Sequence, residues 1–339
     1  IVGVGEDEAF IASDVPAIIK YTNQYYLLEH DEIALLCEDG VSFCTLDGEK
    51  FEKELKVADW DQEAAEKGGY AHFMLKEIME QPEAVRKTIS PRLADGEIVL
   101  EELRDAKELM KNISRIYIVA CGSAYHVGMV GKYALEKMMH IPVEACLASE
   151  FRYSEPILGE SSLVIIISQS GETLDSMAAL REAKRRGSKV LSIVNVMGSS
   201  IARESDYVLY TWAGPEIAVA TTKAYTTQMV LLLMFGVYLA KQLDRMEQEE
   251  YMDVTRGLQE LPEKISIVLS DIDHYQKAAS RYFNQNSVFY IGRNLDYALG
   301  LEGSLKLKEI SYIHSESYAA GELKHGTIAL VDESCLVVV

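Results

Sequence analysis

The sequence predicts an α/β protein on a doubly wound parallel sheet, followed by a second, shorter copy of that unit and preceded by a β-rich segment. Three observations carry this reading. Four short β-branched runs alternate with helical stretches between about residues 101 and 245, part of that pattern returns after residue 287, and residues 1–57 instead carry short strand-like runs between turn signals. Strands that are apolar throughout and separated by helices are buried on both faces. Such strands require a parallel sheet with crossover helices, a flavodoxin-like arrangement of three α/β/α layers.

At 339 residues the chain exceeds the size at which one core usually stops growing, so several domains are expected. In residues 1–57, YYLLEHDEIALLCEDGVSFCTLDGEKF alternates in strand fashion, with turn signals at Glu38-Asp39-Gly40 and Asp47-Gly48, and points to hairpins. Residues 58–100 begin with a polar stretch from Ala58 to Gly68-Gly69, read as a linker, and continue with a helical pattern through HFMLKEIME interrupted at Pro82. Residues 101–250 form the first α/β domain, with strands at IYIVAC (116–121), LVIII (163–167), VLSIVNV (190–196) and YVLYTW (207–212). It ends in the helix that carries QMVLLLMFGVYLAKQL. Residues 251–339 form the second domain, on the strength of a weak internal repeat. IYIVACG (116–122) matches SVFYIGR (287–293), SEFRY (149–153) matches GELKH (321–325), and LVII (163–166) matches LVVV (336–339). By this alignment the second copy is incomplete, lacking on the order of 80 residues of the first.

The composition, 48% hydrophobic and 25% charged, is ordinary for a globular protein. A formal charge of −20 disfavours nucleic acid and anionic membranes as partners, so an anionic ligand must be held by local geometry. No run of about 18 uncharged apolar residues occurs, and IVGVGEDEAF lacks the basic flank and apolar stretch of a signal peptide. A soluble, cytoplasmic protein is expected. The five cysteines, Cys37, Cys44, Cys121, Cys146 and Cys335, are scattered without metal-ligand spacing. They are read as buried thiols in a reducing compartment, and no metal or organic cofactor is expected.

Ligands of a doubly wound sheet bind outside the carboxyl ends of its strands. There the apolar run LVIII turns within one residue into SQSGET. Ser168, Gln169, Ser170 and Thr173 offer side-chain donors, Gly171 lets the backbone approach closely, and the helix TLDSMAALREAKRR presents free amide N–H groups. This suits a phosphate dianion; the alternative is that Ser170 or Thr173 simply caps the helix. CGSAYH (121–126) and AVATTKAYTTQ (218–228) repeat the theme of small and hydroxylated residues, and the three together suggest a polyhydroxylated, phosphorylated ligand. GLEGSLKLKEISYIH, read as one helix, puts Glu302, Lys306 and Glu309 on one face. A surface salt-bridge ladder and a proton shuttle both fit that spacing. The following AAGELKHG adds Lys324 and His325, and imidazole is well matched to proton transfer near neutral pH.

SQSGET, ASEFRY, VATTKAYTTQ and above all LKLKEISYIHSESYAAGELKHG resemble the isomerase half of the glutamine–fructose-6-phosphate aminotransferase family, the glucosamine-6-phosphate synthases, with their paired sugar isomerase (SIS) domains. The likeness covers almost the whole chain. IVGVGEDEAFIASD resembles the end of that family's glutaminase domain, an amino-terminal-nucleophile fold, and YAHFMLKEIMEQP resembles its interdomain segment. The resemblance implies formation of glucosamine 6-phosphate from fructose 6-phosphate and glutamine-derived ammonia, through ring opening, imine formation, ammonia exchange and proton transfer. It further implies that Ser168, Gln169, Ser170 and Thr173 hold the phosphate and that Ser123, Val219 and Thr221 make further sugar contacts. Glu309 would move a proton between C1 and C2 with Lys306 in support, and His325, contributed by the neighbour in a homodimer, would serve ring opening.

Two departures stand out. Cys121-Gly122-Ser123-Ala124 occupies the place where the family often has CGTS, which removes a hydroxyl at Ala124. The family's amino-terminal glutaminase cysteine and its carboxyl-terminal Schiff-base lysine are both expected to lie outside this chain. Two other readings stay open. A fructosamine-type deglycase uses the same paired domains, although the β-rich start argues against it. A non-catalytic sugar-phosphate sensor would need neither Glu309 nor His325.

Overall fold

The computed structural model describes residues 1–12, 15, 17–19, 21–29, 31–37, 40–58, 67–106 and 110–339. The chain divides into two compact units, Ile1–Lys76 with Gly214–Val219, and Glu77–Ala213 with Ala220–Val339.

The strands of the first unit pair antiparallel. β1 (Val2–Val4) lies between β2 (Ala9–Ile11) and β3 (Gln24–Tyr26); β4 (Glu32–Cys37), β5 (Gly40–Thr45) and β6 (Lys50–Phe51) form a second sheet; β7 (Lys56–Val57) pairs with β3. Phe43 is buried on β5 between the rings of Tyr26 and Phe51 and anchors this small core. The expected turn at Asp47-Gly48 forms, with Gly48 at φ 83° and its N–H bonded to the Thr45 carbonyl at 2.9 Å. Glu38 and Asp39 of the other expected turn, and residues 59–66 of the expected linker, lie outside the described residues.

Pro82 begins a helix rather than interrupting one. α1 (Phe73–Met79) stops before Glu80, and α2 (Gln81–Ile89) carries Pro82 in its first turn, where a missing N–H removes no helical hydrogen bond. A short hairpin of β8 (Leu93–Ala94) and β9 (Glu97–Ile98) follows. The main sheet then forms from β10 (Arg115–Ala120), β11 (Val143–Leu147), β12 (Ser162–Ser168), β13 (Lys189–Val194) and β14 (Tyr207–Tyr210). All its pairings are parallel, in the order β11-β10-β12-β13-β14. Its connections include α3 (Gly122–Met139), α4 (Ala148–Phe151), α5 (Leu174–Arg185) and α6 (Ser200–Glu204), and α7 (Lys223–Gln242) follows the last strand.

Every residue of the central strand β12 is buried, and successive side chains feed two different cores. Ile118, Leu163, Ile165 and Ile167 pack with Leu135 of α3 and Leu231 and Phe235 of α7. Val119, Val164 and Ile166 pack with Phe151 of α4 and Met177 and Leu180 of α5. That is the three-layer arrangement expected of strands apolar on both faces. The helices α3 and α7 approach so closely that a Cβ at Gly131 would come within 2.4 Å of a Leu232 methyl. By length and composition α7 could cross a membrane, but 83% of its most apolar stretch is buried inside the protein.

The domain boundary expected at 250/251 falls within α8 (Gln248–Leu269), whose Tyr251 and Leu258 belong to the first domain's core. After α9 (Ile272–Tyr282) come β15 (Ser287–Gly292), α10 (Leu295–Ser311), β16 (His314–Ala319) and β17 (Cys335–Val338), in parallel order β16-β15-β17. This reproduces β11-β10-β12, with α10 in the place of α3. The repeat read from the sequence is therefore a repeat of structure.

Besides the short β8–β9 hairpin, two strands of the parallel sheets, β11 and β16, escaped the sequence reading. Both follow a helix that ends on a left-handed residue other than glycine: His140 at φ 53° after α3 and Tyr312 at φ 60° after α10, each bonding the carbonyl four residues back. The helix expected through GLEGSLKLKEISYIH consequently stops at Ser311, and HSESYA becomes an edge strand. The cysteines also differ from expectation, since Cys37 is exposed and the other four are only half-buried; all five are free. Burial still pushes the Cys146 thiol up to about 12 and raises those of Cys121 and Cys335, which keeps them protonated and unreactive near neutral pH.

Candidate functional site

At the carboxyl edge of the main sheet, SQSGET forms a tight turn between β12 and α5. Ser168 Oγ lies 2.9 Å from Thr173 Oγ1 and accepts the Gly171 N–H at 3.0 Å, while Ser170 Oγ accepts the Glu172 N–H at 3.2 Å. Thr173 occupies the N-cap of α5 yet makes no side-chain cap bond, so neither it nor Ser170 is engaged as the simple helix cap that was the alternative. The hydroxyls are instead gathered over the turn, beside a helix start whose first amides have no partner within the helix. Gln169 is half-buried, and its carbonyl accepts the Asn195 N–H at 3.1 Å.

The turn is strapped from one side. Gly171 O accepts the Ile201 N–H at 3.0 Å and the Glu172 carboxylate accepts the Ser200 N–H at 2.7 Å. Gly171 sits at φ 68°, and a Cβ there would fall 2.0 Å from Ser199 Oγ and 2.5 Å from Ser199 Cβ. Left-handed strain and overlap both act against a side chain, so Gly171→Ala is expected to lower stability by about 2–3 kcal/mol, read from the denaturant midpoint. A loss under roughly 0.5 kcal/mol would mean that the strap yields freely.

Ser123, buried in the first turn of α3, lies beyond the carboxyl end of β10, the strand adjacent to β12. It follows Gly122, which turns the chain at φ 56°. Thr221 is half-buried just before α7, and Val219 is fully exposed on the 214–219 segment of the first unit.

The second cluster lies on α10. Lys306 Nζ is 2.5 Å from Glu309 Oε2 and 3.4 Å from Glu302 Oε1, so one ammonium lies between two carboxylates. Side-chain exposure climbs from 8% at Glu302 through 17% at Lys306 to 34% at Glu309, which argues against a surface ladder and leaves Glu309 as the member open to a ligand. His126 of α3 places Nδ1 2.7 Å from Glu302 Oε2. Tyr225 of α7 closes the cluster: burial, with the Glu302 charge as a smaller cause, raises its hydroxyl well above the ordinary tyrosine value.

The structure thus brings Glu302, Lys306 and Glu309 together, and it gathers Ser168 with Thr173. Lys324 and His325 are exposed on the turns that follow β16, and among the described residues no ion pair joins His325 to the α10 array. The sequence reading assigned no role to His126, Tyr225 or Glu172. His126 carried a detectable signal, since it stands three residues after Ser123 and so on the same face of α3. Among the described residues no group of three or more His, Cys, Asp or Glu is placed to hold a metal ion.

A tandem parallel sheet with helices on both faces and a hydroxyl-lined turn at its carboxyl edge defines a doubly wound α/β protein. The chain belongs to the SIS domain family, whose profile matches residues 109–238 and 281–339. Over its whole length it is 55% identical to the isomerizing glutamine–fructose-6-phosphate aminotransferase of Caldanaerobacter subterraneus and 45% identical to that of Aquifex aeolicus. It spans 56% and 55% of those two proteins, about half the length of the curated relatives it matches. The C-terminal domain of glucosamine-fructose-6-phosphate aminotransferase from Francisella tularensis superimposes with a TM-score of 0.78 at 43% identity, over 80% of this chain and 77% of that one. Tagatose-6-phosphate ketose/aldose isomerase from Escherichia coli shares the fold at a TM-score of 0.64 and 18% identity, over 79% of this chain and 72% of that one.

Proposed function

We propose that this chain is the sugar-isomerising part of a glucosamine-6-phosphate synthase, which converts fructose 6-phosphate and glutamine to glucosamine 6-phosphate and glutamate. The observation that carries the reading is the pairing, on successive copies of one fold, of a hydroxyl-lined turn at a helix N-terminus with a helix that holds a carboxylate–ammonium–carboxylate array. The first suits a phosphate, held by Ser168, Gln169, Ser170 and Thr173, with Ser123, Val219 and Thr221 along the sugar. The second suits proton movement between neighbouring carbons, with Glu309 as the group that takes and returns the proton and Lys306 holding it in place. In a homodimer, His325 would come from the partner's exposed turn and serve ring opening. Residues 1–57 are the end of a glutaminase domain that supplies ammonia. Their hairpins favour this over a fructosamine-type deglycase, which would have no such domain.

Thr173→Val tests the phosphate assignment, since it removes one hydroxyl with little change of shape. A hydrogen bond to a charged group contributes roughly 1.5–3 kcal/mol, so fructose 6-phosphate affinity by calorimetry is expected to fall by about 10- to 100-fold. Fructose, which lacks the phosphate, should bind both forms equally. Unchanged affinity for fructose 6-phosphate would remove Thr173 from the site.

A further inference from the structure

His126 and Glu302 join the two copies of the α/β fold at one buried point. Glu302 is 6% exposed, and a carboxylate that far from water must be matched by donors or opposite charge. Its two oxygens are divided: Oε2 faces His126 Nδ1 at 2.7 Å and Oε1 faces Lys306 Nζ at 3.4 Å. An ionised carboxylate only accepts, so the proton in the His126 contact is on Nδ1. The other polar groups facing this point are Tyr225 from α7 and Lys306 and Glu309 from α10 itself; among the described residues the Tyr225 hydroxyl, Glu302 Oε1 and Lys306 Nζ make no hydrogen bond, so Lys306 meets its two carboxylates as ion pairs.

We infer that His126 is a positioning residue for the α10 array: by holding Glu302 Oε2 it turns Oε1 toward Lys306, and Lys306 in turn holds the Glu309 carboxylate. The inference rests on the reading of Glu309 given above. His126 reaches this point from the α3 turn that bears Ser123, so the same helix start presents a hydroxyl at the sheet's carboxyl edge and a fixed donor to the array. Without the imidazole, Glu302 Oε2 has no donor, and the carboxylate is free to rotate and take Lys306 with both oxygens. Glu309, the most exposed member, would then lose its fixed ammonium partner.

The test compares donors of matched position in the full-length protein. In His126→Asn the side-chain amide nitrogen can occupy the place of Nδ1 and donate to the same oxygen. In His126→Leu no donor remains, and in His126→Gln the amide lies one bond further out. His126→Leu is expected to lose about 10- to 100-fold in kcat, as for a hydrogen bond to a charged group, with KM for fructose 6-phosphate within about twofold of wild type. His126→Asn should recover to within about threefold of wild type, and His126→Gln should stay at least about tenfold down. If the Leu variant does not fold, the Asn and Gln pair decides. Equal kcat in Asn and Gln, an unimpaired Leu variant, or a loss that falls on KM would each overturn the positioning role. A Glu309→Gln variant that turns over normally would overturn the reading of Glu309 instead, and an inactive Glu309→Gln beside a fully active His126→Leu would overturn only the role of His126.

Discussion

Glu309→Gln in the full-length protein is expected to bind fructose 6-phosphate as wild type does and to form product about 10²- to 10⁴-fold more slowly, the range over which a positioned general base acts. Moving a proton from C1 to C2 of an opened sugar needs one base that reaches both carbons, and Glu309 is the member of the α10 array most open to a ligand, with 34% of its side chain exposed. Its Oε2 lies 2.5 Å from Lys306 Nζ, so the carboxylate is held on a helix rather than carried on a mobile loop. Glutamine keeps the size and can turn its amide oxygen to Lys306, which is why binding and folding should survive. It cannot take the proton. Product formation, calorimetric affinity and solvent-deuterium exchange at the shuttled carbon, measured in both forms, separate these effects. Exchange and turnover near wild type in the Gln variant would reduce Glu302, Lys306 and Glu309 to a structural ion-pair array.

The main sheet could be read from the sequence because its central strands are buried on both faces and therefore written as uninterrupted apolar runs. SLVIIIS is the extreme case, with no exposed residue. Edge strands lack that constraint. VEACL in β11 and HSESYA in β16 are partly exposed and broken by polar residues, and each follows a helix whose left-handed end is made by His140 or Tyr312 rather than by the glycine that would have marked it. The boundary expected near residue 250 falls inside a helix for a related reason. A long amphipathic helix carries no sign of which core its apolar face will join, and Tyr251 and Leu258 commit α8 to the first.

The candidate site could be proposed from the sequence where its groups fall in one stretch, and not where they are assembled across stretches. SQSGET declares itself by following an apolar strand, and the spacing of Glu302, Lys306 and Glu309 by itself puts them on one helical face. The spacing could not say whether that face is wet or dry. The decision comes from α3 and α7, whose His126 and Tyr225 lie 176 and 77 residues before Glu302 and meet it only in the folded chain. Glu172 is similar, a loop carboxylate whose partner is the Ser200 N–H on the next connection.

The largest expected loss of stability is at Arg92. Its side chain is 3% exposed, and one guanidinium serves three elements. Nη2 bonds Glu102 Oε1 at 2.8 Å and the Tyr210 carbonyl at 2.9 Å, and Nη1 bonds the Thr88 carbonyl at 3.1 Å. The end of α2, the short 3-10 turn at Glu101–Ala106 and the last residue of β14 are thereby tied together. Only a planar fork of donors reaches all three at once. Arg92→Ala leaves a carboxylate without its counter-charge and two carbonyls without donors, and should lower stability by about 3–5 kcal/mol. Arg92→Lys, a single ammonium on a flexible stem, should lose at least about 1 kcal/mol. Trp212 reports on this end of β14, its ring 5.6 Å from that of Tyr210, and a Trp60→Phe background makes its emission the sole tryptophan signal. Denaturant titrations of the three forms, followed by that emission and by far-ultraviolet circular dichroism, show where the tie acts. Coincident shifts in both signals would mean that Arg92 supports the whole unit. Early loss of the tryptophan signal alone would mean that it pins only the strand end. A loss below about 1 kcal/mol in the alanine form would show that water replaces the fork without cost and that the three elements hold together without it.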